Sequence, residues 1–123
     1  MLHTTFAILK AVTACEERFN VFQAAMHARG ITGDDTPIPL TLALDSNGLM
    51  DTLWAFRAVL PEEEAQRDKV VRLLAADYAE HVLPIWVRYD PKDKRPAETI
   101  RVTRLYALGL ASRKELQAAL AAA

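Results

Sequence analysis

Asp77 and His81 are the two side chains whose types and spacing come closest to a catalytic or metal site in this sequence. They are four residues apart and therefore share one face of a helix, with Glu80 beside them. A carboxylate next to an imidazole can bind a metal ion or prepare the imidazole for proton transfer. A metal site needs a third ligand, from His3, His27 or another acid, and the spacing does not supply one. We expect a solvated Asp–His pair, with a metal-dependent enzyme around this pair as an alternative.

Motifs of catalysis are otherwise absent from the sequence. It contains no glycine-rich phosphate loop, no Gly-x-Ser-x-Gly, no paired cysteines and no His-Glu-x-x-His. Cys15 lies in the apolar pattern of the first predicted helix, where we expect it to be a small buried hydrophobe. Trp54 and Trp86 occupy apolar patterns as well, and we expect both in the core. The prediction is a protein that is not an enzyme and has no catalytic residue, metal ligand or cofactor.

A basic segment in the last third of the chain is the candidate binding site. It follows the aromatic residues Trp86 and Tyr89, and such combinations are typical of surfaces that bind acidic proteins or nucleic acids. The predicted partner-binding residues are Arg88, Lys92, Lys94, Arg95, Arg101 and Arg104. Three interpretations remain open: pairing with neighbouring acids, such as Arg101 with Glu98 or Asp77; a protein partner; or nucleic acid.

The charge distribution also separates the last third of the chain from the rest. The net charge is −1, but residues 1–87 carry seven basic and twelve acidic side chains, whereas residues 88–123 carry eight basic and four acidic ones. A uniformly basic polyanion binder is therefore excluded, and a local basic surface is not. No apolar run is long enough to span a bilayer, and the N-terminus lacks a signal-peptide pattern, so we expect no membrane partner. The lone cysteine favours the cytoplasm.

The elements that would position these residues are helices. Thr4 and Thr5 can cap a first helix whose apolar pattern continues through Met26 to a stop at Gly30. Pro39 can open a short helix through Leu44, and we favour this helix over a strand because a lone strand would have no partner. Asn47-Gly48 provides a turn before the next helix.

The second half of the chain follows the same pattern. Pro61 begins a helix with an apolar stripe as far as Tyr89, within which Pro84 should kink the helix or end it near Leu83. Pro96 restarts a helix that Gly109 stops, and Ser112 with Glu115 forms a capping box for the last one. We predict an all-α fold, a single compact bundle of five to six helices forming one domain over residues 1–123.

Residues 46–110 resemble small helical phage and bacterial proteins, and the later part is similar to an immunity-protein family linked to polymorphic toxin systems. The segments that carry the resemblance are Ser46–Leu49, Leu53–Val59, Ala79–Ile85, Arg88-Tyr89, Asp93, Arg95-Pro96, Ile100 and Leu108-Gly109. The chain departs from the pattern at Trp86-Val87 and at Ala97-Glu98, beside the basic loop.

The resemblance implies an all-α protein that acts by binding, as an immunity-like or phage-encoded inhibitor of a toxin, a host protein or a defence protein. It supplies no catalytic residues. A nucleic-acid-binding helical module that uses the basic C-terminal third is the alternative function. The sequence does not indicate an oligomeric state.

Overall fold

The computed structural model describes all residues, 1–123, and its contacts divide the chain into two compact units, Met1–Arg67 and Asp68–Ala123, called here the N-terminal unit and the C-terminal unit. The all-α prediction is confirmed. There are seven α-helices rather than five or six, because the first predicted helix is divided into two. The single domain over residues 1–123 stays a prediction.

Two short helices replace the first predicted helix of the N-terminal unit. Thr5 caps helix α1, Phe6–Ala11, and its hydroxyl accepts a hydrogen bond from the Ile8 amide at 3.1 Å, as the sequence predicts. The chain then leaves the helix, since Thr13 has a φ of 58°, a left-handed conformation that a β-branched residue rarely adopts. Helix α2 begins after this turn and covers Glu16–Ala28. Cys15 therefore lies outside the apolar stripe and is exposed, so the prediction of a buried Cys15 was wrong.

The N-terminal unit also contains a two-stranded sheet with two residues in each strand. Strand β1, His3–Thr4, pairs antiparallel with strand β2, Ile38–Pro39, with His3 opposite Pro39 and Thr4 opposite Ile38. The sequence argument against a strand at residue 38 was wrong because the first residues of the chain supply its partner. The expected helix follows at once, as α3, Leu40–Asn47.

The remaining elements of the N-terminal unit follow the predicted boundaries. Gly48, with a φ of 83°, separates α3 from helix α4, Leu49–Ala55, which continues into a 3₁₀ turn, Phe56–Ala58. A second 3₁₀ turn, Pro61–Glu63, leads into helix α5, Glu64–Tyr89, so Pro61 stands at the predicted helix start.

The core of the N-terminal unit is built around Phe6, which is fully buried. The rings of Phe19, Phe22 and His27 meet it edge-on, with centroids 5.7–6.0 Å away. Buried residues from strand β2, helices α1, α2 and α3 and the first 3₁₀ turn complete the cluster: Leu9, Phe22, Met26, Ile38, Ala43 and Ala58. Trp54 packs against this cluster while remaining only partly buried.

The C-terminal unit consists of most of α5 and helices α6, Arg95–Ala107, and α7, Arg113–Ala122. Helix α5 does not end near Leu83 but continues past Pro84 to Tyr89. Proline lacks an N–H group, so one backbone hydrogen bond is missing inside α5. Pro96 lies in the first turn of α6, and Ser112 with Glu115 forms the predicted capping box of α7. No helix in the structure is both long enough and apolar enough to cross a membrane.

Candidate protein-binding surface

The last three turns of α5 carry an apolar face that the C-terminal unit does not cover. Tyr78, Val82, Ile85 and Tyr89 are separated by four, three and four residues, which places them on one side of the helix. Their exposed fractions are 50, 54, 68 and 82%. This set is called the α5 apolar face below. The sequence predicts this stripe on a helix, and leaves open whether the helices around Trp54 and Trp86 expose an apolar groove.

Trp86 and Val87 extend the exposed apolar surface around the same helix. Trp86 is 38% exposed and Val87 41%, so the expectation that Trp86 lies in the core was wrong. The Trp86 ring lies against the Tyr89 ring, with centroids 5.6 Å apart and planes inclined by 44°. Exposed groups of large apolar side chains often mark a surface that binds a partner. Aromatic side chains, moreover, are enriched where proteins meet.

Two of the six predicted binding cations lie beside this surface with no ion pair. Arg88 is exposed on α5, one residue before Tyr89, and Lys92 is exposed in the loop that follows. Only the backbone amide of Lys92 is engaged, by the Asp90 carboxylate at 3.1 Å. Lys94 donates from Nζ to the Pro91 carbonyl at 2.9 Å, which folds its side chain back over the loop.

Arg95 and Arg101 are paired with acids close to them in sequence. Arg95 donates two hydrogen bonds of 2.8 Å to the Asp93 carboxylate, and these bonds lower the pKa of Asp93 to about 2. Arg101 donates to both oxygens of Glu98, at 2.9 and 2.6 Å, which also lowers the pKa of Glu98. Pairing of Arg101 with Glu98 was one of the alternatives left open by the sequence.

Arg104 joins α6 to α5. Its guanidinium donates to Asp77 at 2.7 Å and to both oxygens of Glu80, at 2.9 and 2.7 Å. These hydrogen bonds raise the pKa of Arg104, and the bonds to Glu80 have a larger effect than the bond to Asp77. A second contact between the helices places the Arg72 guanidinium over the Tyr106 ring, 5.1 Å from its centroid. Arg104 therefore links α6 to the helix that carries the α5 apolar face.

The Asp77–His81 pair does not form a metal site in this arrangement. The Asp77 carboxylate accepts from Arg104, and His81 is exposed. No group of three or more histidine, cysteine, aspartate or glutamate side chains in the structure could hold a metal ion.

Five of the six predicted cations thus fall into two sets, and Lys94, whose Nζ donates to the Pro91 carbonyl, belongs to neither. Arg88 and Lys92 can meet a partner without breaking an ion pair, whereas Arg95, Arg101 and Arg104 already neutralise carboxylates. Sequence reasoning found the stripe of the α5 apolar face but did not determine that the stripe is exposed. The signal that could have revealed it is an imbalance: a helix of 26 residues with a long apolar stripe is followed by only two shorter helices.

Comparison with known proteins identifies a family for the second half of the chain. Residues 61–123 match the family model for the Imm-5 like putative immunity protein, just over half of the chain. The matched part begins at Pro61 and contains α5, α6 and α7, and so includes the α5 apolar face and all six cations. No curated protein and no solved structure matches the chain.

Proposed function

The chain belongs to the Imm-5 like immunity protein family, and from this premise we propose that it binds and neutralises a protein toxin without catalysing a reaction. Neutralisation by binding requires a surface that remains available in the folded protein. The α5 apolar face is the observation that supports this proposal, because it lies in the part of the chain that the family model matches.

Burial of this face is the main source of affinity in the proposed complex. Ile85 and Tyr89 are the most exposed members of the face, at 68 and 82%, and each would transfer most of its apolar area out of water on binding. A buried aromatic anchor is what dominates the binding free energy of most protein interfaces. The proposed toxin surface is therefore a groove or pocket with apolar walls.

The two cations without an ion pair, Arg88 and Lys92, indicate that the complementary surface of the toxin is acidic. Arg88 and Lys92 flank Tyr89 and would face carboxylates of the toxin, which speeds association and selects the partner. The whole predicted set, Arg88, Lys92, Lys94, Arg95, Arg101 and Arg104, remains the proposed binding region. Within it, we assign the direct contacts to Arg88 and Lys92, and the support of the surface to the paired arginines. We place the encounter in the cytoplasm, where the exposed thiol of Cys15 would stay reduced.

A rescue experiment tests this function. The chain is co-expressed with each toxin domain encoded beside its gene, and survival of the cells is counted. We expect survival with one such domain. We also expect a weaker rescue by the double variant Arg88→Gln and Lys92→Gln than by Arg101→Gln, because Arg101 already pairs with Glu98.

Failure to neutralise any neighbouring toxin would contradict the proposal. Retention of DNA or RNA by the purified chain, with a steep loss on adding salt, would instead support the nucleic-acid alternative, since phosphate contacts release counterions.

A further inference from the structure

The N-terminal unit contains an apolar cleft that the proposed function does not use. Its volume is about 720 Å³, within the range of pockets that bind small molecules. The apolar walls include Phe19 and Phe22 of α2 and Leu53 and Trp54 of α4. All of its lining residues belong to the N-terminal unit, most of which lies outside the residues that the family model matches.

One of the two arginines at this cleft is neutralised by the fold. Arg18 donates from Nε to the Asp51 carboxylate at 2.6 Å and from a terminal nitrogen to the Asn47 carbonyl at 3.0 Å. Asp51 also accepts from the Asn47 amide at 3.0 Å. Burial acts to raise the pKa of Asp51, but the hydrogen bonds from Asn47 and Arg18 outweigh it and hold this pKa below its usual value. Arg18 is therefore occupied with holding α2 against α3 and α4.

Arg57 is the other arginine at the cleft, and no carboxylate faces it. Its guanidinium lies 4.7 Å from the centroid of the Trp54 ring, and its Nε donates to the Trp54 carbonyl at 3.1 Å. These contacts fix the position of the guanidinium beside the cleft, while its terminal nitrogens form no hydrogen bond within the chain. The cleft thus combines apolar walls with one oriented, uncompensated cation.

We propose that this cleft binds a small amphipathic organic anion, with its carboxylate on the terminal nitrogens of Arg57 and its apolar body between Phe19, Phe22 and Leu53. A guanidinium can hold a carboxylate through two parallel hydrogen bonds, which are stronger than bonds between neutral groups. The apolar body supplies the larger part of the affinity, and the Arg57 contact selects an acid over the corresponding alcohol.

Cys15 provides a direct reporter for this cleft. It lines the cleft, is exposed and is the only cysteine in the chain, so the rate of its alkylation by neutral iodoacetamide measures access to the cleft. The probes are sodium octanoate and 1-octanol, which share an apolar chain and differ in charge. We expect octanoate to slow alkylation at lower concentration than octanol.

Two variants separate the charge contact from a general effect on the unit. Arg57→Gln should weaken octanoate protection by about tenfold and leave octanol protection unchanged. Arg29→Gln removes an exposed cation of the same unit that pairs with Asp45 outside the cleft, and should change neither. Met50→Glu places a like charge at the cleft on a side chain that is 76% exposed, and should also weaken octanoate protection without affecting folding.

Equal protection by octanoate and octanol, or octanoate protection unchanged in Arg57→Gln, would overturn the proposal. Absence of protection by both probes would overturn it as well. Neither result bears on toxin neutralisation, which the rescue experiment measures independently.

Discussion

Phe6 in the N-terminal unit and Tyr89 in the C-terminal unit are both aromatic side chains on α-helices, yet Phe6 is fully buried and Tyr89 is 82% exposed. The same contrast holds for the units as wholes. The N-terminal unit buries eleven apolar side chains, and the C-terminal unit buries three, Ala76, Ile100 and Val102. Large exposed hydrophobic residues show the reverse, with five in the N-terminal unit and ten in the C-terminal unit.

The difference shows what each unit does with its apolar residues. In the N-terminal unit they stabilise the fold, because two helices, a short sheet and a turn converge on Phe6. In the C-terminal unit, three buried apolar side chains are accompanied by polar contacts between α5 and α6, among them the bridge from Arg104 to Asp77 and Glu80. The residues of the α5 apolar face stay exposed. The unit that lies within the residues matched by the family model is thus the one with more exposed large hydrophobic side chains.

The largest expected effect on stability is in the N-terminal core. Phe6→Ala should lower the free energy of unfolding by about 3–5 kcal/mol, because it leaves a cavity among three rings. Each unit contains one tryptophan, so a Trp86→Phe background makes Trp54 fluorescence report on the N-terminal unit alone during urea unfolding. Tyr89→Ala, measured by Trp86 fluorescence in a Trp54→Phe background, should change the free energy of unfolding of the C-terminal unit by no more than about 0.5 kcal/mol. Similar losses of unfolding free energy in Phe6→Ala and Tyr89→Ala would contradict the difference between the two units.

A smaller effect is expected at the start of α7. Ser112→Ala removes the hydroxyl that accepts from the Glu115 amide at 3.1 Å, and should cost about 1 kcal/mol. Ser112→Asp keeps an acceptor at this position and should retain most of the stability. Urea unfolding followed by Trp86 fluorescence in a Trp54→Phe background measures both. Equal losses in the two variants would show that the cap does not stabilise the C-terminal unit.

The smallest expected effect is a pH dependence confined to the C-terminal unit. The hydrogen bonds from Arg95 lower the pKa of Asp93 from 3.8 to about 2, so the ionised carboxylate stabilises the folded form. This stabilisation is complete above the unfolded pKa of 3.8 and is lost as the pH falls through about 2. Asp93→Asn should reduce the pH dependence of the urea midpoint, followed by Trp86 fluorescence, between pH 5 and pH 2. The remaining dependence comes from Glu80, Glu98 and Glu115, whose pKa values are also lowered. An unchanged pH dependence in Asp93→Asn would contradict a stabilising role for the hydrogen bonds between Arg95 and Asp93.

Helix boundaries are the part of this fold that the sequence predicts well. Thr5, Gly48, Pro61, Pro96 and Ser112 each stand where they were expected, because caps and turns depend on a few neighbouring backbone groups. The break at Thr13 escaped prediction because a threonine with positive φ has no sequence signature. The strand at Ile38 escaped because its partner lies 34 residues earlier in the chain.

The binding surface was predictable only in part. Pairing of Arg101 with Glu98 follows from their spacing of three residues, whereas the contact of Arg104 with Glu80 depends on how α6 packs against α5. The α5 stripe was found as a pattern, but a pattern shows only that residues share a face. Whether that face is covered depends on tertiary packing, which the periodicity of the sequence does not predict.

The affinity of α5 variants for the neutralised toxin tests the central claim most directly. The double variant Ile85→Ser and Tyr89→Ser is compared by calorimetry with Leu44→Ser and Leu49→Ser, which remove exposed apolar side chains of the N-terminal unit. The account predicts that the α5 variant weakens binding by at least about 2 kcal/mol, and that the second variant binds like the wild type. Equal affinity of the two double variants would contradict a toxin-binding role for the α5 apolar face.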